Sequence, residues 1–194
     1  MGTLKVDKLT GRLGSTASAP ITLSGDIATL GSGIVFPAGH VVQVVNVINS
    51  NSWTDNPSSA WIDIPTFNVS IVPNFTSSKI LIMLHVQGQG RGGTNSAHFR
   101  VLRDSTTAVG VGDQEGSTRI RSSISAQSKD DYSLESGSTT ILDTPTIPST
   151  PVSIAYKVQV YSNNTVYVNR DYTFGDNATT VVNASTMTLM EIAG

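Results

Sequence analysis

The sequence contains no cysteine, which excludes a disulfide framework and any metal site built on thiolates. It has no apolar run that approaches the ~20 residues of a membrane-spanning helix. Its opening residues lack the apolar stretch of a secretory signal peptide. These absences predict a protein that is made in the cytoplasm and does not insert into a membrane.

Charged side chains are scarce. Lysine, arginine, aspartate and glutamate make up 13% of the chain, and the formal net charge is −2. A typical soluble domain has about twice that charged fraction, ~25%. Binding to nucleic acid requires a basic surface that can hold phosphates, so we expect no nucleic-acid partner. So little charge also favours association, which predicts extensive contact between copies of the chain.

The motifs that carry enzymatic chemistry are missing as well. There is neither a Gly-x-Ser-x-Gly elbow nor a His-Glu-x-x-His pair in the sequence. The three histidines, His40, His85 and His98, lack the His-x-His spacing with which alternate strand residues could bind one metal ion. The glycines of "VGVGDQEG" miss the spacing of a dinucleotide-binding fingerprint. We therefore expect a protein that is not an enzyme and holds neither a cofactor nor a metal.

What the chain does contain is many short runs of Val, Ile, Thr and Tyr, separated by Gly, Pro, Asn and Asp. These are strand and turn signals respectively. No window of ten or more residues has a helical period. The predicted strands span residues 41–48, 61–64, 68–71, 79–86, 97–102, 107–111, 117–125, 139–142, 152–161, 165–169, 179–183 and 185–192.

Two of these strands have informative patterns. Residues 152–160 show the clearest alternation, with Val, Ile and Tyr on one face and Ser153, Ala155, Lys157 and Gln159 on the other, which predicts a half-buried antiparallel strand. The segment "KILIMLHV" (79–86) is apolar on both faces, so we expect it to be covered on both sides, by a partner sheet or a neighbouring subunit. Its His85 then belongs to a core or an interface. The glycines of "GQGRGG" (88–93) predict a hairpin loop that tolerates substitution.

The fold class that follows is all-β: an antiparallel, jelly-roll-like β-sandwich head with a short extended N-terminal segment. The boundary falls at "FPAG", which divides an attachment and trimerisation segment (residues 1–35) from the head (residues 36–194). The first segment has too few apolar residues to fold alone. It is ordered either by pairing among three copies or by adding a strand to another protein. The candidate contact residues are Leu4, Val6, Leu9, Ile21, Leu23, Ile27 and Leu30.

Aromatic residues in polar surroundings suggest a binding surface. Trp53 lies among turn-forming residues, and "NRDYTFGDN" places Tyr172 and Phe174 close to Arg170. Sugar rings stack on aromatic faces, while polar side chains bind their hydroxyl groups. Trp53, Arg170, Tyr172 and Phe174 are therefore candidates for receptor binding. The alternative is that these rings pin loops or fill a subunit interface.

Several segments, taken in order, resemble one family of proteins. "GTLKVDKLTG" and "ITLSGD" resemble the N-terminal segments of virion proteins of marine and cyanobacterial phages. "FPAGHVVQVVNV", "TSSKILIMLHV", "HFRVLRD", "LDTPTIPS", "YKVQVYSNN" and "TMTLMEIAG" resemble the C-terminal domain of phage fibre and appendage proteins.

The resemblance implies a homotrimer in the virion, with its N-terminal part attached to other virion proteins and its sandwich facing outward. One interpretation is a short tail-fibre-like appendage that presents loops to the host surface, with a cell-surface glycan as partner. The other is a capsid decoration or cement protein (a head fibre) that stabilises the shell. The near absence of a shaft favours decoration, whereas the likeness of the head to fibre tips favours host attachment.

Overall fold

In the computed structural model, the described residues are 36–91, 96–127, 134–172, 178 and 180–194, together with the backbone of three short N-terminal strands. The chain divides into two compact units, Met1–Pro37 and Ala38–Gly194. The first unit contains β1 (Lys8–Leu9), β2 (Ile21–Ser24) and β3 (Ile27–Leu30). They form an antiparallel sheet in the order β1-β2-β3.

The register of this small sheet pairs Leu9 with Ile21, and Ile21 with Leu30. Of the residues predicted to make trimer or attachment contacts, Leu4 and Val6 lie outside the described residues. For the other five only the backbone is described; these are Leu9, Ile21, Leu23, Ile27 and Leu30. Their role in assembly stays a prediction.

The second unit is built from antiparallel strands. They are β4 (Val41–Asn49), β5 (Trp53–Asp55), β6 (Ala60–Ile71), β7 (Lys79–Gly90), β8 (Ser96–Arg103), β9 (Thr107–Val109), β10 (Ile124–Gln127), β11 (Ser136–Asp143), β12 (Ile154–Ser162), β13 (Val166–Val168) and β14 (Ser185–Ile192).

These strands form two sheets. The five-stranded sheet has the order β10-β8-β12-β6, with β9 added to β8, and the six-stranded sheet has the order β4-β14-β7-β13-β5, with β11 added to β7. From β4 onward the chain crosses repeatedly between the sheets, so strands that are distant in sequence become neighbours. This is the connectivity of a jelly roll, and the prediction of an all-β antiparallel sandwich is confirmed.

The core lies between the two sheets, and period-2 alternation decides which side chains enter it. On β12 the predicted apolar set is buried, with Tyr156, Val158 and Val160 fully so. On β7 the inward set is Ile80, Ile82, Leu84 and Val86, each at most 2% exposed. One face of "KILIMLHV" is therefore covered by the other sheet, as the sequence predicts.

The glycine-rich loop begins later than the sequence predicts. Strand β7 continues to Gly90, and Gly88 is buried within it. A Cβ atom on Gly88 would lie 2.9 Å from Cζ of Phe99 and 3.0 Å from the backbone oxygen of Tyr167. The expectation of a tolerant loop is wrong at Gly88, because this glycine is required by close packing between the sheets. Gly92 and Gly93 lie outside the described residues.

Three other segments differ from the predicted strands. Residues 117–123 form turns and irregular chain before β10 begins. Among residues 180–183, pairing is limited to one bridge between Arg170 and Val182. Residues 61–64 and 68–71 belong to one long strand, β6, which is irregular at Pro65 and at Thr66, whose φ is +61°.

Candidate functional site

The outer face of the five-stranded sheet carries a row of three aromatic rings on three neighbouring strands. Tyr161 on β12 lies opposite Trp61 on β6 and opposite His98 on β8. The ring centroids are 5.6 Å apart for Trp61–Tyr161 and 6.2 Å apart for His98–Tyr161. Nδ1 of His98 is 2.8 Å from Oγ of Ser125, its partner on β10. All three rings are half-buried.

A row of polar side chains lies beside the rings. Nε and Nη2 of Arg100 donate to Oε1 of Gln159 at 2.9 and 2.7 Å. Nε2 of Gln159 donates to Oδ1 of Asp63 at 2.7 Å, and Nζ of Lys157 donates to Oδ2 of Asp63 at 2.8 Å. Arg100 also joins the two rows, because its Cζ lies 4.2 Å from the centroid of the Trp61 ring. We call these residues and the ring row together the polar–aromatic face.

The charges of this face follow from its contacts. Burial raises the pKa of Asp63, but the hydrogen bonds from Lys157 and Gln159 outweigh it, so the net pKa lies below the ordinary value. Burial lowers the pKa of His98, so its imidazole is neutral at pH 7. The face therefore presents a guanidinium, an ammonium and a carboxylate beside three uncharged rings. Such a surface can bind a ligand that is itself both apolar and rich in hydroxyl groups.

Sequence reasoning indicated which of these residues share a strand face, but it did not single them out as a site. Alternation along β8 and β12 indicates that His98 shares a face with Arg100, and Lys157 with Gln159. It gives no indication that Trp61 and Tyr161 lie side by side, because 100 residues separate them in sequence and only the register of β6 with β12 brings them together. The alternation of residue types along one strand reveals which of its residues share a face. Which residues of other strands lie beside them depends on the order and register of the strands in the sheet.

Trp53, the first predicted receptor-binding residue, lies on β5 rather than in a loop. It is opposite Val168 of β13. Its side chain is half-buried and packs against the hydrophobic core. These contacts match the alternative interpretation of this ring, which is that it pins local structure.

The predicted residues that follow β13 are also held by local contacts. Nε of Arg170 donates to the backbone oxygen of Asp171 at 3.1 Å. The Tyr172 ring meets Tyr167 nearly edge-on at 5.3 Å, and its hydroxyl accepts a 3.1 Å hydrogen bond from Nη2 of Arg91. The Arg91 guanidinium also lies 5.0 Å from the centroid of the Tyr172 ring.

Phe174 lies outside the described residues. Trp53 thus lies on β5, which pairs with β13, and Arg170 and Tyr172 lie in the segment that follows β13.

A buried asparagine fixes this end of the sandwich. Asn169 has a φ of +60° and is fully buried. Its Nδ2 donates to the backbone oxygens of Asn49 and Asn51 at 2.8 and 3.0 Å, and its Oδ1 accepts from Oγ of Ser185 at 2.6 Å. Asparagine tolerates the left-handed conformation better than most residues. Asn169 therefore joins the start of β14 to the segment that precedes Trp53.

Two buried carboxylates lie elsewhere in the sandwich, and both are fully engaged in structural contacts. Nη1 of Arg103 donates to both oxygens of Asp143 at 2.6 and 2.7 Å, and the Tyr156 hydroxyl donates to Oδ2 at 2.7 Å. Burial and this hydrogen bond raise the pKa of Tyr156. The second carboxylate, Glu191, accepts hydrogen bonds from the 74–78 turn and from Gln43.

Within the described part of the chain, no three His, Asp or Glu side chains come close enough together to hold a metal ion. Nor does any helix in these residues have the length and apolar character of a membrane span. No protein-family model matches the sequence, and no curated protein matches it.

Proposed function

We propose that this chain is a structural subunit of a phage virion: a short, tail-fibre-like homotrimeric appendage without enzymatic activity whose sandwich binds the host surface. The ordered series of segments from "FPAGHVVQVVNV" to "TMTLMEIAG" supports the virion assignment. The polar–aromatic face supports the binding role, and it is the single observation on which that role rests.

The face suits a cell-surface glycan. Saccharides combine apolar C–H faces with rims of hydroxyl groups, which pair with aromatic rings and with planar donors and acceptors respectively. Trp61 and Tyr161 supply adjacent rings, while Arg100, Gln159 and Asp63 are already held in one hydrogen-bonded row. Side chains that are ordered before binding lose little entropy when a ligand arrives, which favours affinity. The proposal assigns attachment to a sheet face, whereas the sequence alone predicted loops.

Binding of the purified, full-length protein to host cells tests this role. Replacing Trp61 and Tyr161 together by alanine should weaken binding at least tenfold, because each lost anchor is worth about 1–2 kcal/mol. Both rings lie on the outer face and are only half-buried, so the variant should still fold, with a thermal midpoint lowered by the loss of the Trp61–Tyr161 contact. The matched control is Tyr172→Ala, which removes a ring at the β5–β13 end.

If Tyr172→Ala lowers binding and the double variant does not, the glycan site lies among the residues predicted from the sequence. If the wild-type protein binds neither host cells nor an array of host saccharides, the attachment role is wrong.

Capsid decoration is the second candidate function. It is favoured by the largely uncharged outer face of the six-stranded sheet, since such a surface suits packing against another protein. A decoration protein would show no affinity for cells, and particles stripped of it would burst more readily on heating or dilution than intact particles. A fibre-like appendage predicts the reverse in both assays.

A further inference from the structure

The outer face of the six-stranded sheet is unusual in its lack of charge. Strand β7 buries Ile80, Ile82 and Leu84 against the other sheet, but its alternate side chains, Leu81 and Met83, point the opposite way. The sequence requires a cover for both faces of this strand, and the sandwich supplies only one. We refer to the outward side chains of β4, β14, β7 and β11 as the uncharged face.

Register shows that one row of this face is apolar across all four strands, and that the two rows beside it combine apolar with polar residues. Met190 lies opposite Val44 and Leu81, and Leu81 lies opposite Leu142. In strand order β4-β14-β7-β11, the three central rows are Val44–Met190–Leu81–Leu142, Asn46–Thr188–Met83–Thr140 and Ile48–Thr186–His85–Ser138.

Large apolar side chains on these rows are open to solvent in the single chain. Met83 is 46% exposed, Leu142 53%, Val44 54% and Ile48 64%. Among the outward residues of these four strands, all of them described, Lys79 at one margin is the only Lys, Arg, Asp or Glu. The polar–aromatic face on the other sheet has a guanidinium, an ammonium and a carboxylate over a similar span.

The single histidine of the uncharged face, His85, is held by two neighbouring side chains. Its Nε2 lies 2.8 Å from Nε2 of Gln87, and its Nδ1 lies 2.8 Å from Oγ of Ser138. His85 therefore adds hydrogen-bonding groups to the face.

We propose that copies of this chain pack against each other through the uncharged face. Two identical faces repel each other when they carry like charges, and this face has only marginal Lys79 to cause such repulsion. Depletion of Lys, Glu and Asp, with enrichment of methionine and aliphatic residues, is typical of the centre of a protein interface. A closed cyclic assembly buries the same patch on every copy.

The size of the face is sufficient for this role. Four strands of about eight residues cover roughly 500 Å² in projection, given strand spacings of ~4.8 Å and a rise of ~3.3 Å per residue. Around a three-fold axis each face is shared by its two neighbours, so three copies bury on the order of 1,500 Å² in all, about the area of one standard specific interface. A charged virion protein fits this face less well than a second copy does, because the face offers no carboxylate or guanidinium for it to pair with.

This inference rests on the self-association that is part of the proposed function, but it is independent of host binding. Sedimentation velocity on the full-length chain tests it, with Met83→Glu and Leu142→Glu combined on the uncharged face. Both side chains are about half exposed, so the single chain should still fold, and the mass should fall from that of an assembly to that of one chain. The matched control is Ser70→Glu, an exposed position on the outer face of the other sheet, which should keep the wild-type mass.

Two results would overturn the inference: a wild-type protein of single-chain mass at micromolar concentration, or a folded double variant whose mass equals that of the wild type. The second result would move the contact to the N-terminal unit or to a capsid protein. Host-cell binding by the dissociated variant would show that the attachment role does not depend on self-association through the uncharged face.

A cysteine experiment keeps the test decisive if the glutamate variant does not fold. Since the chain has no cysteine, Met83→Cys introduces a single reactive thiol at the middle of the uncharged face. A short bis-maleimide should then join chains efficiently, whereas Ser70→Cys should stay uncrosslinked. Equal crosslinking at the two positions, or none at Met83→Cys, contradicts the inference.

Discussion

At the scale of single residues, the sandwich depends on a few buried polar groups that are held in place by hydrogen bonds. Glu191 is fully buried in β14. It accepts five hydrogen bonds, from Gln43, from Ser78, from both nitrogens of Asn74 and from the backbone of Phe75. Burial alone raises the pKa of Glu191, but these donors outweigh it and hold the pKa below the ordinary value. The carboxylate thus anchors the turn between β6 and β7.

We expect Glu191→Gln to lower the free energy of unfolding at pH 7 by about 2–3 kcal/mol, because hydrogen bonds to a buried charge are lost and an amide nitrogen then faces donors. The lowered pKa means that the stabilisation is complete above the unfolded-state pKa of ~4.3 and is lost as the pH falls through the folded-state pKa. Urea denaturation from pH 7 to pH 3 should therefore show wild type and variant converging in acid. Equal stabilities at pH 7 would contradict this account.

Gly88 supports a second prediction at the residue scale. Gly88→Ala should lower stability by about 1–3 kcal/mol, because the added methyl group would crowd the Phe99 ring and the backbone oxygen of Tyr167. Gly112→Ala is the matched control, since a Cβ atom there meets nothing within 4 Å, and its stability should stay within ~0.5 kcal/mol of wild type. Thermal or urea unfolding measures both. A destabilisation confined to Gly112→Ala would mean that the close approach of the two sheets at Gly88 is misassigned.

At the scale of elements, both faces of β7 carry apolar side chains, but one face lies in the core and the other points outward. Leu84 is 2% exposed and faces the core, whereas its neighbour Met83 is 46% exposed and faces outward. Inward positions of the strand contribute to folding, and outward ones are available for association. A substitution at either position therefore reports on a different process.

Leu84→Asp should unfold the sandwich, because an unpaired carboxylate in this core costs several kcal/mol, comparable with the ~5–15 kcal/mol that stabilises a whole domain. Met83→Asp, one residue away, should leave a folded chain with near-native circular dichroism. Soluble Leu84→Asp protein with a normal thermal midpoint would show that the core has been misplaced.

The long strands could be predicted from the sequence, and so could the short strands β9 and β13, but β5 could not. β12, β7 and β14 have many alternating or apolar residues, so their pattern alone reveals them. β5 has only three residues, Trp53–Asp55, and is a strand because it pairs with β13. Such tertiary pairing is invisible to local propensity. The polar–aromatic face escaped prediction for the same reason, since its rings come from strands that only the fold makes neighbours.

At the scale of the whole sandwich, the two outer faces are chemically opposite. One is crossed by rings, a guanidinium, an ammonium and a carboxylate, and the other by aliphatic, methionine and hydroxyl side chains. Because the sheets pack back to back, a copy bound to the uncharged face leaves the polar–aromatic face free. A head assembled as proposed would direct identical binding surfaces outward around its axis, and several weak glycan contacts would then add up to strong attachment.

An electron cryomicroscopy map of the phage particle that we propose carries this chain tests this account most directly. The account predicts copies that meet through the uncharged faces around a common axis at the tail, with every polar–aromatic face turned toward solvent. A map in which the uncharged face lies on the capsid shell, or in which Trp61 and Tyr161 are buried between subunits, would contradict it.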